Sequence, residues 1–386
     1  MSQLNFVPLR AWLAACAVGN YSKTDIPAFT SPEQLVAAAR AEGVIGLIDW
    51  RLRQASFGLE TKDERISTST FSEVVKAFSI AAREEALSSM IIENESRAIN
   101  RLMAEAAIPS LMLKGSALAH WAYAQPHLRS CSDVDLLVPS REAGETFSAR
   151  LTAAGYERVK TLGDLVAYEL LCRRQVGGGW KLEVDIHWSL ANSPLFANVF
   201  TFDELMKESI ELPQLAPGAR GLGIVHACIH ACLHRALNLS TGTDDKLKWL
   251  YDLEVLMALF TPEHWKRLAD LSIDKCVAGV VSDALYVAAA TFGRDLPARW
   301  IDVMRGPQGN EPLDASRLSD WRYMQRKSFE SLPGLGRKIR WLWQRCFLSH
   351  EYLQQLYGNK EQSYIRLLLW RSGRLMLRCV QLRSIR

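Results

Sequence analysis

The sequence predicts an α+β fold: a helical N-terminal region, a short mixed core, and a long helical C-terminal region. Three observations carry this. Phe71–Met103 contains neither Gly nor Pro and keeps a helical period, so it reads as long amphipathic helix. From Ile108 to Trp188 the texture changes to short apolar runs punctuated by Gly, Pro and Ser. After Trp188 the helical texture returns and continues to the C-terminus. The boundaries follow these changes, giving residues 1–107, 108–195 and 196–386. At 386 residues, 48% apolar and 23% charged, the chain can bury a full core, and its composition excludes a disordered, collagen-like or coiled-coil protein.

Taken in order, Ala11–Gly19 reads as a buried helix and not as a secretion signal, because only Arg10 precedes it and no small-x-small cleavage pattern follows. No apolar run approaches the ~18 residues that would span a bilayer. Eight cysteines scattered without a framework read as reduced thiols in the cytoplasm. Ile108–Leu113 is expected as a strand ending in a turn at Lys114-Gly115-Ser116, with Ala117–Tyr123 helical after it. Val134–Val138 is a second strand and Arg141–Ala154 a helix stopped by Gly155. Leu165–Cys172 and Lys181–Trp188 are expected strands, joined through the glycines of Gln175–Gly179.

The chemistry concentrates in Ser132-Asp133-Val134-Asp135-Leu136-Leu137-Val138. Side chains alternate along a strand, so Asp133 and Asp135 share a face. Two carboxylates so close repel one another, and a divalent cation relieves the repulsion; hard oxygen ligands suit Mg²⁺. In Lys181–Trp188, Glu183, Asp185 and His187 share one face, and Leu182, Val184, Ile186 and Trp188 the other. Were these two strands neighbours, a third carboxylate would join the pair, enough for two metals about 4 Å apart. A lone D-x-D is a common chance pattern. Upstream, however, Gly115 and Ser116 sit where a strand gives way to a helix, a place suited to phosphate, and Arg129 lies four residues before Asp133, where it could pair with phosphate oxygens.

Lys114-Gly115-Ser116, Arg129-x-x-Ser132-Asp133-x-Asp135-Leu-Leu-Val138 and Glu183-x-Asp185-x-His187-Trp188 together resemble the polymerase-β-like nucleotidyltransferase superfamily, and within it the uncharacterised bacterial nucleotidyltransferase branch. The resemblance is specific over residues 108–188. It implies a nucleotidyltransferase-fold mixed sheet, nucleotide binding at Lys114, Gly115, Ser116 and Arg129, and metal binding and catalysis by Asp133, Asp135 and Asp185. It further implies a two-metal Mg²⁺ site (Mn²⁺ as the alternative), an NTP such as ATP as donor, and a hydroxyl acceptor that is a small molecule, sugar or peptide in preference to nucleic acid. The gap from Gly115 to Asp133 is longer than in minimal versions of the fold, and Lys114 stands before the Gly-Ser pair. Two other readings of the chain stand beside this one: a non-catalytic nucleotide sensor on the same fold, and an interaction protein acting through its basic tail.

His226-Ala-Cys228-Ile-His230-Ala-Cys232-Leu-His234 places its histidines at i, i+4 and i+8, with the cysteines on another face. One metal cannot use all five. His230 and His234, with His187, are candidates to face substrate; structural zinc and plain core histidines are the alternatives. Lys248 and Asp252 are candidates for cleft contacts or an i,i+4 surface pair.

Charge is uneven. Arg322–Arg386 carries 14 Lys/Arg against 3 Asp/Glu, a net of +11, while the first 321 residues carry 32 against 39, a net of −7. Trp341, Trp343 and Trp370 are interleaved with Arg340, Arg345 and Arg371, and Arg374 and Arg378 continue the helical spacing with Leu375, Met376, Cys379 and Leu382. Such a tail suits a helix packed on the body with snorkelling arginines, an anionic membrane surface or a nucleic-acid platform.

Overall fold

A computed structural model describes residues 3–21, 30–57, 68–176, 180–306, 311–357 and 363–381. Its spine is a 38-residue helix, α4 (Thr68–Glu105), about 57 Å long at 1.5 Å per residue. Phe71, Val74, Phe78 and Ala81, in its first half, join the core of the helical part of the molecule. Ile99 and Met103, in its second half, pack under the sheet. The Gly- and Pro-free run read from the sequence is therefore one helix that serves two cores.

Three helices precede it: α1 (Gln3–Val18), α2 (Pro32–Glu42) and α3 (Ile45–Phe57). Leu13, Cys16 and Ala17 of α1 are fully buried, as the expected buried helix requires. Ser31 and Gln34 form a capping box at the start of α2, and Gly43 ends it in the left-handed region at φ 70°, as a helix C-terminus favours.

The sheet has seven strands: β1 (Leu111–Met112), β2 (Asp133–Leu137), β3 (Glu157–Val159), β4 (Glu169–Val176), β5 (Trp180–His187), β6 (Ile210–Glu211) and β7 (Arg220–Gly221), in the spatial order β3-β4-β5-β2-β1-β7-β6. It is mixed: β2 runs parallel to β5 and β1 to β7, and the remaining pairs are antiparallel. Between β1 and β2 lies α5 (Lys114–Trp121), and α6 (Arg141–Ala153) follows β2. One face of the sheet (Val134, Leu136, Val184, Ile186) packs on Ile99 and Met103 of α4 and on Phe147 and Leu151 of α6. The opposite face carries the carboxylates.

Three strand expectations shift. The Ile108–Leu113 run contributes only two ladder residues, because Ala107 enters in the left-handed region (φ 52°) and Pro109 has no N–H to donate. Lys114 opens α5 directly, so no separate turn intervenes. Leu165–Tyr168 is a turn and β4 starts at Glu169; the Leu165 N–H is taken by Gln344 Oε1 at 3.0 Å, and Val166 and Ala167 bond back to Gly163. Strands β3, β6 and β7 are additions to the expected set, and the last two extend the sheet through residues 210–221, a stretch that reads as helical from sequence. The connecting glycines 177–179 lie outside the described residues; the expected antiparallel pairing is present, but it runs on to Val176 and Trp180, so Gln175 and Val176 belong to β4 and not to the turn.

The rest is helical: α7 (Phe202–Lys207), α8 (Ile224–Ser240), α9 (Leu247–Ala258), α10 (Pro262–Asp274), α11 (Ala278–Phe292), α12 (Ala298–Arg305), α13 (Trp321–Glu330), α14 (Gly334–Cys346), α15 (His350–Tyr357) and α16 (Tyr364–Gln381). The N-terminal helices are tied to this bundle by Glu42. Its carboxylate accepts from Arg10 Nε at 3.0 Å and from the Leu247 N–H at 2.6 Å, so a residue of α2 satisfies the first turn of α9.

Candidate active site

The parallel pairing of β2 with β5 sets Asp133 opposite Glu183, Asp135 opposite Asp185, and Leu137 opposite His187. The two strands that sequence reading could only suppose to be neighbours are bonded to each other. A ligand atom from each of Asp135, Asp185 and His187 lies within 4.8 Å of the other two, the one such group of metal-ligating side chains among the described residues. Asp133 shares their face at the start of β2, half-buried, with its Oδ1 3.2 Å from Ser132 Oγ. Glu183 turns away into an ion pair with Arg173 Nε at 2.8 Å.

Electrostatics single out the central pair. Burial raises the Asp185 carboxyl, the neighbouring Asp135 charge raises it further, and together they push it up to about 8. Burial works the same way on Asp135, but the Lys114 ammonium and His187 outweigh it and hold this carboxyl well below the usual range. Lys114 Nζ is 2.5 Å from Asp135 Oδ1, and His187 Nε2 is 3.1 Å from the same oxygen. The other imidazole nitrogen, Nδ1, faces Glu169 Oε2 at 3.3 Å as a charge contact. Glu169 pairs with His187 across β4 and β5, and no local sequence signal singles it out.

Lys114 reaches Asp135 because of its backbone. The Leu113 N–H donates to the Asp135 carbonyl at 3.0 Å, so Lys114 begins α5 beside that carboxylate. Its φ of 51° is left-handed, costly for a residue with a Cβ, by about 1–2 kcal/mol. Leu113, at the N-cap of α5, supplies no side-chain acceptor to the helix's first N–H groups. Ser116 is buried, its Oγ donating to the Leu113 carbonyl at 2.9 Å. Gly115 has a packing reason to lack a side chain: a Cβ there would meet the Arg129 guanidinium at 2.6 Å and Cys131 Sγ at 2.9 Å.

Arg129 lines the same cleft as the carboxylates and is held there by a buried partner. Its Nε and Nη2 each donate to an Asp252 oxygen at 2.7 Å, and Tyr123 Oη donates to the same carboxylate at 2.7 Å. Both ion-pair members are 6% exposed. Asp252 is therefore a buried anchor for Arg129 and not a surface partner of Lys248, and both Asp252 and Lys248 line the cleft.

That cleft encloses about 250 Å³ between the carboxylate face and helices α8 and α9; Lys114, Asp133, Asp135, His234, Lys248 and Trp249 are among its walls. His230 and His234 both line it and are kept neutral by burial, which pushes His230 down to about 3. His234 meets Trp249 edge-on at 5.4 Å. His226 points elsewhere and packs edge-on against Phe200 at 4.9 Å. Cys228 and Cys232 are fully buried in the helical core, with Val281 of α11 beside Cys232. The cysteines lie apart from the cleft histidines as the periodicity suggested, but His226 leaves the face that His230 and His234 share, and the five side chains do not converge. A second, larger cleft of about 900 Å³ opens on the far side of Glu169; Trp188, Trp343, Phe347 and Tyr352 help to line it.

The model of a family described as uncharacterised nucleotidyltransferases matches residues 30–293. The chain belongs to that family. It is a nucleotidyltransferase, an enzyme that transfers nucleotidyl groups, and an NTP is its substrate. No curated protein matches the chain. In this nucleotidyltransferase the donor set suits the divalent cation that such enzymes use: two carboxylates face each other across a parallel ladder, and of the two causes that lift Asp185, burial and the Asp135 charge, a cation offsets the second. The family match covers both the sheet and α8–α11, and ends before α12–α16.

Proposed function

We propose that this nucleotidyltransferase transfers NMP from an NTP to a hydroxyl of a small molecule, sugar or peptide, with Mg²⁺ (or Mn²⁺) held by Asp133, Asp135 and Asp185. The observation that carries this reading is the register pairing of Asp135 with Asp185. A bound cation supplies neutralisation of the phosphate charge that builds up as pyrophosphate departs. The protein's own groups do the rest. Lys114 Nζ, 2.5 Å from Asp135, is placed to serve the triphosphate, and Asp135 would share its charge between Lys114 and a cation were one bound. The N–H groups of Gly115 and Ser116, in the first turn of α5 and so without an intrahelical acceptor, receive phosphate oxygens. His230, His234 and Trp249 wall the nucleoside side, and Arg129 fixes the floor through Asp252. The larger cleft beyond Glu169 admits the acceptor. As the acceptor oxygen bonds the α-phosphorus and the bond to pyrophosphate breaks, the hydroxyl proton passes to an Asp185 oxygen. His187, held between Asp135 and Glu169, keeps the pair oriented.

A thermal-shift titration with each NTP, with and without Mg²⁺, tests this. Ligand at 100 times its dissociation constant adds about 2.7 kcal/mol. A Mg²⁺-dependent shift that disappears in Asp133→Asn/Asp135→Asn is expected. Absence of any shift at millimolar NTP contradicts the reading. A sensor on this fold would show the shift yet release no pyrophosphate with any acceptor.

A further inference from the structure

We propose that α14 and α16 form a docking face for an anionic lipid bilayer. Helix α14 is amphipathic, but it is mounted apolar side out. At about 100° per residue, Leu335, Ile339 and Leu342 share one side of the helix, with exposures of 73, 58 and 45%; Trp343 and Phe347, farther round, line the larger cleft. Polar contacts tie the helix to the body: Gln344 bonds Asp164 at 2.7 Å and the Leu165 N–H at 3.0 Å, and the exposed Arg340 reaches both Asp164 oxygens from the edge at 2.9 Å. Trp341 is the one buried residue of the helix.

Helix α16 repeats the arrangement. Leu367 is buried, while Ile365 and Leu369, four residues apart, are 69 and 68% exposed. Arg371 Nη2 donates to the Arg345 carbonyl at 2.7 Å and ties α16 to the end of α14. Nine of the sixteen strongly exposed large hydrophobic side chains among the described residues lie between 335 and 370, so apolar exposure is concentrated in this stretch of the chain.

Charge selects the occupant. Residues 331–386 hold eleven Lys/Arg and two acidic residues, Glu351 and Glu361, neither of them on α14 or α16. A second copy would set two strongly basic faces together. A nucleic acid would answer the charge but leave the Leu and Ile stripe in water. An anionic bilayer answers both: the apolar side chains enter the acyl boundary while Lys338 and Arg366 meet lipid phosphate. No helix among the described residues is long and apolar enough to cross a membrane, so the contact lies in the plane of the surface.

The test is co-sedimentation of the full chain with phosphatidylcholine vesicles, with and without added phosphatidylglycerol, at low and high salt. The expected result is binding to the anionic vesicles only, weakened by salt. Leu335→Gln/Ile339→Gln/Ile365→Gln/Leu369→Gln, all at exposed positions, should weaken it by about tenfold or more with melting temperature and NTP response unchanged. Lys338→Glu/Arg366→Glu gives an independent charge-directed loss. Failure to bind anionic vesicles overturns the proposal. So does binding undiminished by the four apolar replacements, which would mark a general polyanion site. A wild-type dimer that the four replacements dissociate would overturn it too, and would assign the face to a second copy. None of these outcomes bears on the NTP-dependent shift, so this proposal and the catalytic reading fail separately.

Discussion

Around Asp135 the charged groups are inside and answered; along α14 and α16 the apolar groups are outside and uncovered. Asp135 is 2% exposed and touches Lys114 and His187; Arg129 and Asp252 are a buried fork. Leu335 and Ile365, by contrast, leave most of their side-chain surface in solvent. The first region lies within the family match and the second outside it. The contrast coincides with the end of the family match at residue 293. Buried charges survive only in one geometry, since a missing partner costs several kcal/mol. An exposed apolar face is bound by no such requirement and is open to addressing the enzyme to a surface.

The buried pole fails most visibly at Asp135. Asp135→Asn should lower nucleotidyl transfer on the order of a thousandfold, checked by pyrophosphate release. It leaves the Lys114 ammonium without its anion, so the metal-free protein should also melt earlier. Arg129→Ala comes next. It strands the Asp252 carboxylate, 5% exposed, and should cost about 3–5 kcal/mol in chemical unfolding. A midpoint unchanged from wild type would show that the fork is dispensable.

Asp185 probes the same pole through pH. Its carboxyl is raised above the usual range to about 8 by burial and by Asp135. A raised acid favours the folded state below its unfolded value, near 4, and that contribution is lost as pH rises through about 8. Asp185→Asn should therefore stabilise the metal-free protein at pH 9 by at least about 1 kcal/mol and leave it little changed at pH 4, as read by denaturant midpoints. Divalent cation affinity in the wild type should rise from pH 6 to pH 8 as the proton is lost.

Smaller effects follow. Gly115→Ala drives a Cβ against Arg129 and Cys131 and should cost about 1–3 kcal/mol in thermal stability. At the exposed pole, Leu335→Gln should shift stability by no more than about 0.5 kcal/mol, since it removes little packing.

Much of the site was legible because period-two alternation needs no partner to be read. Asp133, Asp135, Glu183, Asp185 and His187 fell on their faces from local sequence alone, and the long helix from its 3.6 period. What escaped was set by distance. Glu169 matters only because β4 lies against β5, and Leu165 leaves the strand because Gln344, 179 residues later, takes its N–H. The two-residue strands β6 and β7 are defined by pairing with each other and with β1, with too few residues to show a pattern. The pairing of Arg129 with Asp252 was hidden in the same way, since the two are 123 residues apart. In the tail, the interleaving of Trp and Arg was visible, but not that Gln344 ties α14 to Asp164. Arg374, Leu375, Met376, Arg378 and Cys379 have side chains outside the described set, as does all of Leu382.

The mechanism stands or falls on Asp135 and Asp185 holding a divalent cation jointly with an NTP. Mn²⁺ binding followed by electron paramagnetic resonance, with and without NTP, addresses this without relying on turnover. The expected result is bound Mn²⁺ that tightens with NTP and is lost in both Asp135→Asn and Asp185→Asn. Mn²⁺ binding that persists unchanged in both variants would contradict it.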